Sequence, residues 1–291
     1  MTVADAVNVL HTYYDLTNPD AAENFAYTET LRFLIEATKD PKYMTELAWH
    51  YCSTKRFDLE VKYLEMAAEC GSSQAMTELG YVWYYGQNGE QDPVKAFRYF
   101  SKGAEAGSLW SKYKLADMYR FGMAVEKDIE VYRRRIRDAY EEVKKSRYLS
   151  APYPEIAYRL ADILIEEGTP GPATDLYQRA KRFMAQRLSV EPFWGHFEVM
   201  ERIIRRLYGC IPFDRKHLDF YDLFSSAGSP GVYSLTWKGR EYRLEFPEDD
   251  AAVFFDGKWF RSFTEFCEKA EIEGEKCTAV YDEIYVREVE T

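Results

Sequence analysis

The sequence lacks the features that would place it in or across a membrane. No apolar run approaches the roughly 18 residues that a membrane-spanning helix needs. Residues 1–10 also lack the basic start and the apolar core of a secretory signal peptide. We therefore expect a cytoplasmic protein that has no membrane partner.

Cysteine and histidine are scarce, with five and four residues in a chain of 291. No two cysteines form a C-x-x-C pair, and no cysteine–histidine spacing suits zinc. The cysteines are expected to be reduced and mostly buried thiols. There is also no glycine-rich phosphate loop after a strand and no G-x-S-x-G motif. These absences predict a protein that is not an enzyme, with no catalytic residue, cofactor or metal.

Negative charge predominates but is unevenly distributed. The net charge is −11, which argues against a nucleic-acid partner because the phosphates would be repelled. Residues 241–291 carry 15 acidic and 6 basic side chains, whereas residues 179–216 carry 9 basic and 4 acidic ones. The acidic tail is therefore predicted to contact the basic helices, within one chain or between two chains of a dimer. The equal alternative is an independent module with a solvated acidic face.

What the sequence does contain is an internal repeat. The matching segments are 68–72 with 104–108 after 36 residues, 44–47 with 76–79 after 32 residues, and 113–117 with 158–162 after 45 residues. The longer last spacing predicts an insertion in the third repeat. A short repeated unit cannot bury its own apolar face, so the units must stack on one another. The sequence therefore predicts an α-solenoid.

Each repeat is predicted to be a pair of helices. In the central repeat the first helix spans residues 73–85 and ends at Gly86, and the second begins at Asp92-Pro93. The apolar stripes of these two helices are Ala75, Leu79 and Trp83, followed by Ala96, Phe97, Phe100 and Ala104. Helices over 3–14, 19–38 and 192–208 are predicted as caps of the stack.

The central repeat resembles the Sel1-like repeat, a relative of the tetratricopeptide repeat. The residues that carry the resemblance are Ala75, Leu79, Gly80, Trp83, Gly86, Asp92, Lys95, Ala96, Tyr99, Phe100, Ala104 and Gly107. The resemblance spans about residues 42–190 and is strongest over 42–122, because arginines replace small residues in the third repeat. It implies a curved superhelix that serves as an adaptor for other proteins, and it implies no catalytic residue.

In this type of repeat the first helix of each pair lines the concave side. Projection of the helical period places nine candidate partner-binding residues there: Glu46, Trp49, Glu78, Tyr81, Tyr85, Asp117, Phe121, Asp162 and Glu166. Aromatic rings mixed with carboxylates suit a peptide that carries lysine or arginine. The alternative is that Tyr81, Tyr85 and Phe121 pack between neighbouring helices.

The pattern changes after residue 213, which predicts two domains, 1–213 and 214–291. Alternating apolar residues on both sides of Gly239 predict strands, and Asp256-Gly257 predicts a hairpin turn. Ser262 with Glu265 predicts a capped helix. The expected fold is mostly α: an α-solenoid of antiparallel helix pairs followed by a small acidic α+β module with an antiparallel sheet. The segment 275–290 is compatible with either a helix or a final strand.

The sequence thus favours an interaction scaffold that binds a polypeptide in its concave groove. A ligand sensor or enzyme in the C-terminal module is the alternative; a deep polar pocket beneath Trp237 and Trp259 would favour it, and a filled core would oppose it. A cation held by Glu248, Asp249, Asp250 and Asp256 is disfavoured because their spacing fits no known loop. A bacterial immunity or toxin-associated protein is a third alternative, for which no residue argues.

Overall fold

The structure is a computed structural model that describes residues 2–14, 21–146, 151–191, 194–210, 219–225, 231–247 and 252–289. Within these ranges it contains twelve α-helices and seven β-strands. The chain divides into two compact units, residues 1–139 and 140–291. Each unit is described separately, and the boundary between residues 213 and 214 stays a prediction.

The first unit is built from successive helices. They are α1 (Val3–Tyr14), α2 (Ala21–Thr38), α3 (Pro41–Ser53), α4 (Phe57–Glu69), α5 (Ser73–Tyr85), α6 (Pro93–Glu105), α7 (Leu109–Phe121) and α8 (Ile129–Val143), the last of which contains the division between the units. The predictions of helices over 3–14, 19–38 and 73–85 agree with α1, α2 and α5. Residues 18–20, where the helix predicted over 19–38 would begin, lie outside the described residues.

The repeat is visible in the backbone at the end of each first helix. Gly86 and Gly122 end α5 and α7 with left-handed φ values of 66° and 69°, which favour glycine. The backbone N–H of Asp92 donates to Trp83 O over 2.9 Å, and the N–H of Asp128 repeats this contact 36 residues later, also over 2.9 Å. The Asp92 side chain also accepts from the first turn of α6, as the sequence predicts.

The second helices α4, α6 and α8 bury equivalent residues at the same spacing. Leu64, Phe100 and Ile136 are each fully buried, 36 residues apart. The helices of one pair approach closely because Gly80 of α5 faces the Phe100 ring, which lies 2.4 Å from where a Cβ would stand. The predicted stacking of antiparallel helix pairs into a solenoid is confirmed.

The helices of the second unit are joined by buried polar contacts. The helices are α9 (Tyr153–Glu166), α10 (Pro170–Val190) and α11 (Trp194–Cys210). Arg187 of α10 donates to Glu155 of α9 over 2.6 Å, and both side chains are buried. The helix predicted over 192–208 agrees with α11, which continues two residues further, so Gly209 lies within its last turn.

The C-terminal part of this unit is a five-stranded antiparallel sheet. Its strands are β1 (Gly231–Trp237), β2 (Arg240–Phe246), β3 (Val253–Phe255), β4 (Lys258–Phe260) and β7 (Tyr285–Glu288), in the order β4-β3-β2-β1-β7. The short strands β5 (Glu271–Ile272) and β6 (Glu275–Lys276) form a separate ladder. Left-handed pairs at Lys238-Gly239 and Asp256-Gly257 make two hairpin turns, of which the sequence predicts the second. The predicted antiparallel module is therefore confirmed.

Helix α12 (Phe263–Lys269) follows the second hairpin and begins as predicted, with the Ser262 hydroxyl accepting from the Glu265 N–H over 3.1 Å. Helix α12, the 3₁₀ turn Phe220–Ser225 and strands β2, β3 and β4 supply closely packed rings to the core of the module. These rings are Phe220, Phe224, Phe246, Phe255, Phe260, Phe263 and Phe266. Trp237 is buried and Trp259 is 65% exposed. Trp237 thus belongs to this core, whereas Trp259 lies on the surface of the module.

A buried ion pair links the helices of the second unit to this module. The Lys181 ammonium of α10 contacts Asp222, which is almost fully buried, and lies 2.7 Å from the Asp219 carboxylate. Helix α11 also packs against α12. Asp219 and Asp222 both precede the acidic segment 241–291. The basic helices of residues 179–216 therefore contact acidic residues that lie outside the segment predicted as their partner. Contact between two chains of a dimer stays a prediction.

Candidate functional site

The first helices α3, α5 and α7 each present one large exposed ring. Trp49, Tyr85 and Phe121 are 46%, 54% and 61% exposed. Tyr85 and Phe121 occupy the same position in successive repeats, immediately before the left-handed glycines that end their helices. These three residues belong to the nine that the sequence predicts as partner-binding. The exposure of Tyr85 and Phe121 argues against burial of these rings between neighbouring helices.

Tyr81 lies between exposed surface and core. Its ring stacks beside Tyr85, with centroids 6.0 Å apart, and meets the buried Phe100 ring edge-on at 5.4 Å. Its hydroxyl is 3.1 Å from the hydroxyl of Tyr113 on α7. Tyr81 thus joins two successive first helices, and its contacts mainly stabilise the packing of α5, α6 and α7.

A lysine that the sequence prediction omitted lies inside this group of tyrosines. The ammonium of Lys114 is 5.0–5.7 Å from the ring centroids of Tyr81, Tyr84, Tyr85 and Tyr113. It also donates to the Tyr85 hydroxyl over 3.1 Å. Electron-rich ring faces stabilise a desolvated ammonium, which explains how Lys114 can be buried. The tyrosine rings of this surface therefore already contact a cation, the Lys114 ammonium.

The predicted acidic residues of the first unit have different surroundings. Glu46 accepts a 2.8 Å hydrogen bond from the Tyr27 hydroxyl of α2. Asp117 is only 5% exposed, so it lies behind the surface. Glu78 is half-buried, and burial together with the negative charge of nearby Glu60 raises its pKa to about 7.

The two predicted residues of the second unit also differ from each other. Asp162 of α9 accepts from Tyr177 of α10 and from Arg206 of α11, each over 2.7 Å, so it holds three helices together. Glu166 ends α9 and is exposed. Asp162 therefore stabilises the packing of three helices, whereas Glu166 lies on the surface.

Lys114, Glu60 and Cys52 are the neighbours of the site that sequence reasoning missed. The repeat spacings held the signal for Lys114, because Glu46, Glu78 and Lys114 follow one another at intervals of 32 and 36 residues and Lys114 reverses the charge. Glu60 shares one buried stripe of α4 with Leu64 and Ala67, where a carboxylate is unexpected. Burial and the nearby Glu60 raise the pKa of Cys52 to about 11.

The five cysteines are free, but the expectation that most are buried is wrong. Cys267 and Cys277 are buried, Cys52 and Cys210 are half-buried, and Cys70 is exposed. In the part of the chain that the structure describes, no three acidic, histidine or cysteine side chains come together in a group able to hold a metal ion. The candidate cation site that includes residues 248–250 lies outside that part. None of the described helices is both long and apolar enough to cross a bilayer.

Comparison with known proteins identifies the repeat. The family model of the Sel1 repeat matches residues 61–72, 73–108 and 111–131. Among solved structures the chain is similar to a Sel1 repeat protein from Oxalobacter formigenes, with 15% identity, coverage of 72% of this chain and 89% of that one, and a TM-score of 0.51. It is also similar to pilF from Pseudomonas aeruginosa, with 12% identity, coverage of 73% and 93%, and a TM-score of 0.43. No curated protein matches the chain significantly. The likeness to the Oxalobacter protein shows the fold alone.

Proposed function

We propose that this chain, which carries Sel1 repeats over residues 61–131, is a scaffold that binds a polypeptide partner along the first helices of its repeats. Repeats of the Sel1 and tetratricopeptide type generally mediate contacts between proteins. The observation that carries the proposal is the row of exposed rings Trp49, Tyr85 and Phe121 on α3, α5 and α7.

Exposed rings on successive first helices suit a chain that crosses these helices. Packed helices lie about 8–10 Å apart. A peptide in the polyproline II conformation has three residues per turn and advances about 3.1 Å per residue, so side chains three residues apart lie on one face, about 9 Å apart, and can meet successive first helices. Large aromatic side chains dominate binding energy at protein interfaces because each buries much area with little loss of rotamer freedom.

The other predicted residues support this surface in different ways. Glu46 and Glu78 supply carboxylates beside the rings, and Tyr81 fixes the distance between α5 and α7 through Tyr113. Asp117 is 5% exposed and lies beneath this surface. A partner rich in lysine or arginine fits this set, because carboxylates steer cations and the tyrosine faces accept them. The free cysteines fit the cytoplasmic location expected from the sequence.

The double variant Tyr85→Ala, Phe121→Ala tests the proposal. Phe121 is 61% exposed, so its removal is expected to change stability by less than about 1 kcal/mol, whereas removal of Tyr85 also takes away the hydrogen-bond acceptor of the buried Lys114 ammonium and is expected to cost about 1–3 kcal/mol. Loss of two interface anchors is expected to weaken partner binding at least about tenfold each. The measurement is comparative affinity capture from native lysate with quantitative mass spectrometry, on full-length wild type and variants.

Val94→Ala is the matched control, because Val94 is 69% exposed on the second helix α6. The proposal expects the same captured proteins with this control as with wild type, and their loss with the double variant. Partners that survive the double variant, or that disappear equally with Val94→Ala, would show that the first helices do not form the binding surface.

A further inference from the structure

A buried lysine lies beside one of the exposed rings of the candidate site. Lys114 of α7 is 9% exposed. Among the described residues it forms one hydrogen bond, in which its ammonium donates to the Tyr85 hydroxyl of α5 over 3.1 Å, and it forms no ion pair. A buried charge is costly unless other groups compensate it. The contacts of Lys114 therefore have to supply that compensation.

Tyrosine rings provide it. The ammonium lies 5.0–5.4 Å from the ring centroids of Tyr81, Tyr84 and Tyr85 on α5. A cation within about 6 Å of a ring centroid is attracted by the electrons of the ring. The charge of α7 thus contacts three rings of α5, one of which is 54% exposed. Lys114 therefore joins two successive first helices at the surface that a partner is proposed to contact.

The exposed Tyr85 ring is held from its own helix and from the next first helix. The Tyr81 ring stacks beside it, with an interplanar angle of 8° and centroids 6.0 Å apart, and the Tyr84 ring meets it edge-on at 4.9 Å. These two contacts restrict the plane of the ring, but they come from α5 itself. Lys114 supplies the contact from α7 and fixes the hydroxyl end of the ring.

The ring and the lysine occur together in the repeats. The repeat spacing of 32 residues relates Tyr85 to Ser53, and the spacing of 36 residues relates Lys114 to Glu78. One repeat earlier the chain therefore has neither a ring nor a cation at these two positions. The lysine is present in the helix that follows the tyrosine, which is the pattern expected if it holds that ring.

We infer that Lys114 is a positioning residue of the proposed binding surface, and that it holds the exposed Tyr85 ring in the orientation that a partner polypeptide meets. The inference rests on the proposed function, in which Tyr85 is an interface anchor. A ring that is already fixed loses less conformational freedom when a partner covers it, so more of the contact energy appears as affinity. Immobilising one mobile side chain on binding otherwise lowers affinity about two- to tenfold.

The contact can be removed from either side without removal of the ring. Lys114→Met deletes the ammonium and leaves a flexible apolar side chain that packs well against aromatic rings. Tyr85→Phe deletes the hydroxyl acceptor. Lys114→Arg keeps a cation that donates hydrogen bonds and stacks on rings, so it is the conservative variant. Lys102→Met is the matched control, because Lys102 is exposed on the second helix α6.

Aromatic-¹³C NMR relaxation of the full-length protein with ¹³C-labelled tyrosine measures the order of the Tyr85 ring. The signals of this ring are assigned by their loss in Tyr85→Phe. The order parameter is expected to be near that of a rigid backbone, about 0.85, in wild type and to fall below about 0.6 in Lys114→Met. Lys114→Arg and Lys102→Met are expected to keep the wild-type value. A lysine that only fills space would leave the ring equally ordered in Lys114→Met.

A double-mutant cycle gives the second readout. The probe is a protein that wild type captures and the Tyr85–Phe121 double variant loses, and its affinity is measured by calorimetry. Lys114→Met and Tyr85→Phe are each expected to weaken binding about two- to tenfold. The combination of the two is expected to be no weaker than either alone, because both remove the same contact. Lys114→Arg is expected to restore wild-type affinity.

The outcomes separate this inference from the proposed function. A mobile Tyr85 ring in wild type would overturn the inference, and that measurement needs no variant. An equally ordered ring in Lys114→Met, or fully additive losses in the cycle, would overturn it as well. Partner capture that is lost in the Tyr85–Phe121 double variant, with an equally ordered ring in Lys114→Met, would refute the positioning role alone. Partners that survive that double variant, with ring order lost in Lys114→Met, would refute the proposed function and leave the holding of the ring established.

Discussion

The variant Glu78→Gln should make the first unit more stable at pH 8 than at pH 5, relative to wild type. The pKa of Glu78 rises from an ordinary 4.5 to about 7 because of burial and the charge of Glu60. Below pH 4.5 the group is protonated in both the folded and the unfolded chain, so it costs nothing. As pH rises from 4.5 to 7 the unfolded chain loses the proton first, and the folded state loses stability. Above pH 7 the full cost remains.

The size of the effect follows from the shift. One pKa unit corresponds to about 1.36 kcal/mol, so a shift from 4.5 to about 7 corresponds to about 3 kcal/mol. The neutral amide of glutamine keeps the shape of the side chain without its charge. It should therefore restore up to about 3 kcal/mol at pH 8 and much less at pH 5.

Peptide-resolved hydrogen exchange of α5 measures this effect within the first unit. Three kcal/mol corresponds to a roughly hundredfold increase in the protection factors of α5 amides. Glu69→Gln is the control, because Glu69 is exposed on α4. The reasoning would be refuted if Glu78→Gln lowered protection at pH 8, since the ionised carboxylate would then make a stabilising contact. An equal change at pH 5 and pH 8 would refute it as well.

The remaining predictions concern helix packing and a buried charge. Gly80→Ala should destabilise the first unit by about 1–3 kcal/mol, because its methyl group would stand 2.4 Å from the Phe100 ring; α5 and α6 should lose exchange protection. By contrast Gly209→Ala, with open space around it, should raise the thermal midpoint slightly. Lys181→Met should cost about 3–5 kcal/mol because it leaves Asp222 buried and unpaired, and Asp222→Asn on the same background should recover part of that loss in urea unfolding.

The helix pairs could be predicted because their signals are local. The glycine at each helix end, the Asp92-Pro93 start and the apolar stripes depend on backbone geometry and on the 3.6-residue period. The structure reproduces them at the predicted residues. The hairpin turn at Asp256-Gly257 could be predicted for the same reason, since a left-handed turn restricts which residues it accepts.

The candidate site was less accessible to prediction. The helical period identifies which side of α5 faces away from the core, but it does not predict how deeply each side chain is buried. Tyr85 and Asp117 were therefore predicted as equal members of one surface, although one is 54% exposed and the other 5%. That difference arises from how far each neighbouring helix overlaps the first helices, and no local pattern encodes this overlap.

The sequence by itself determined the repeat, because one helix pair cannot bury its apolar face and the same spacing of small and apolar residues must recur wherever a neighbour stacks. Tertiary structure alone decided which charged groups meet. Lys114 of α7 lies among four tyrosines, three of them on α5, and burial together with the charge of Glu60 on α4 raises the pKa of Glu78 on α5, because residues from different helices converge. Electrostatic energy depends on distance and local dielectric rather than on position along the chain, so these contacts appear only once the helices are packed.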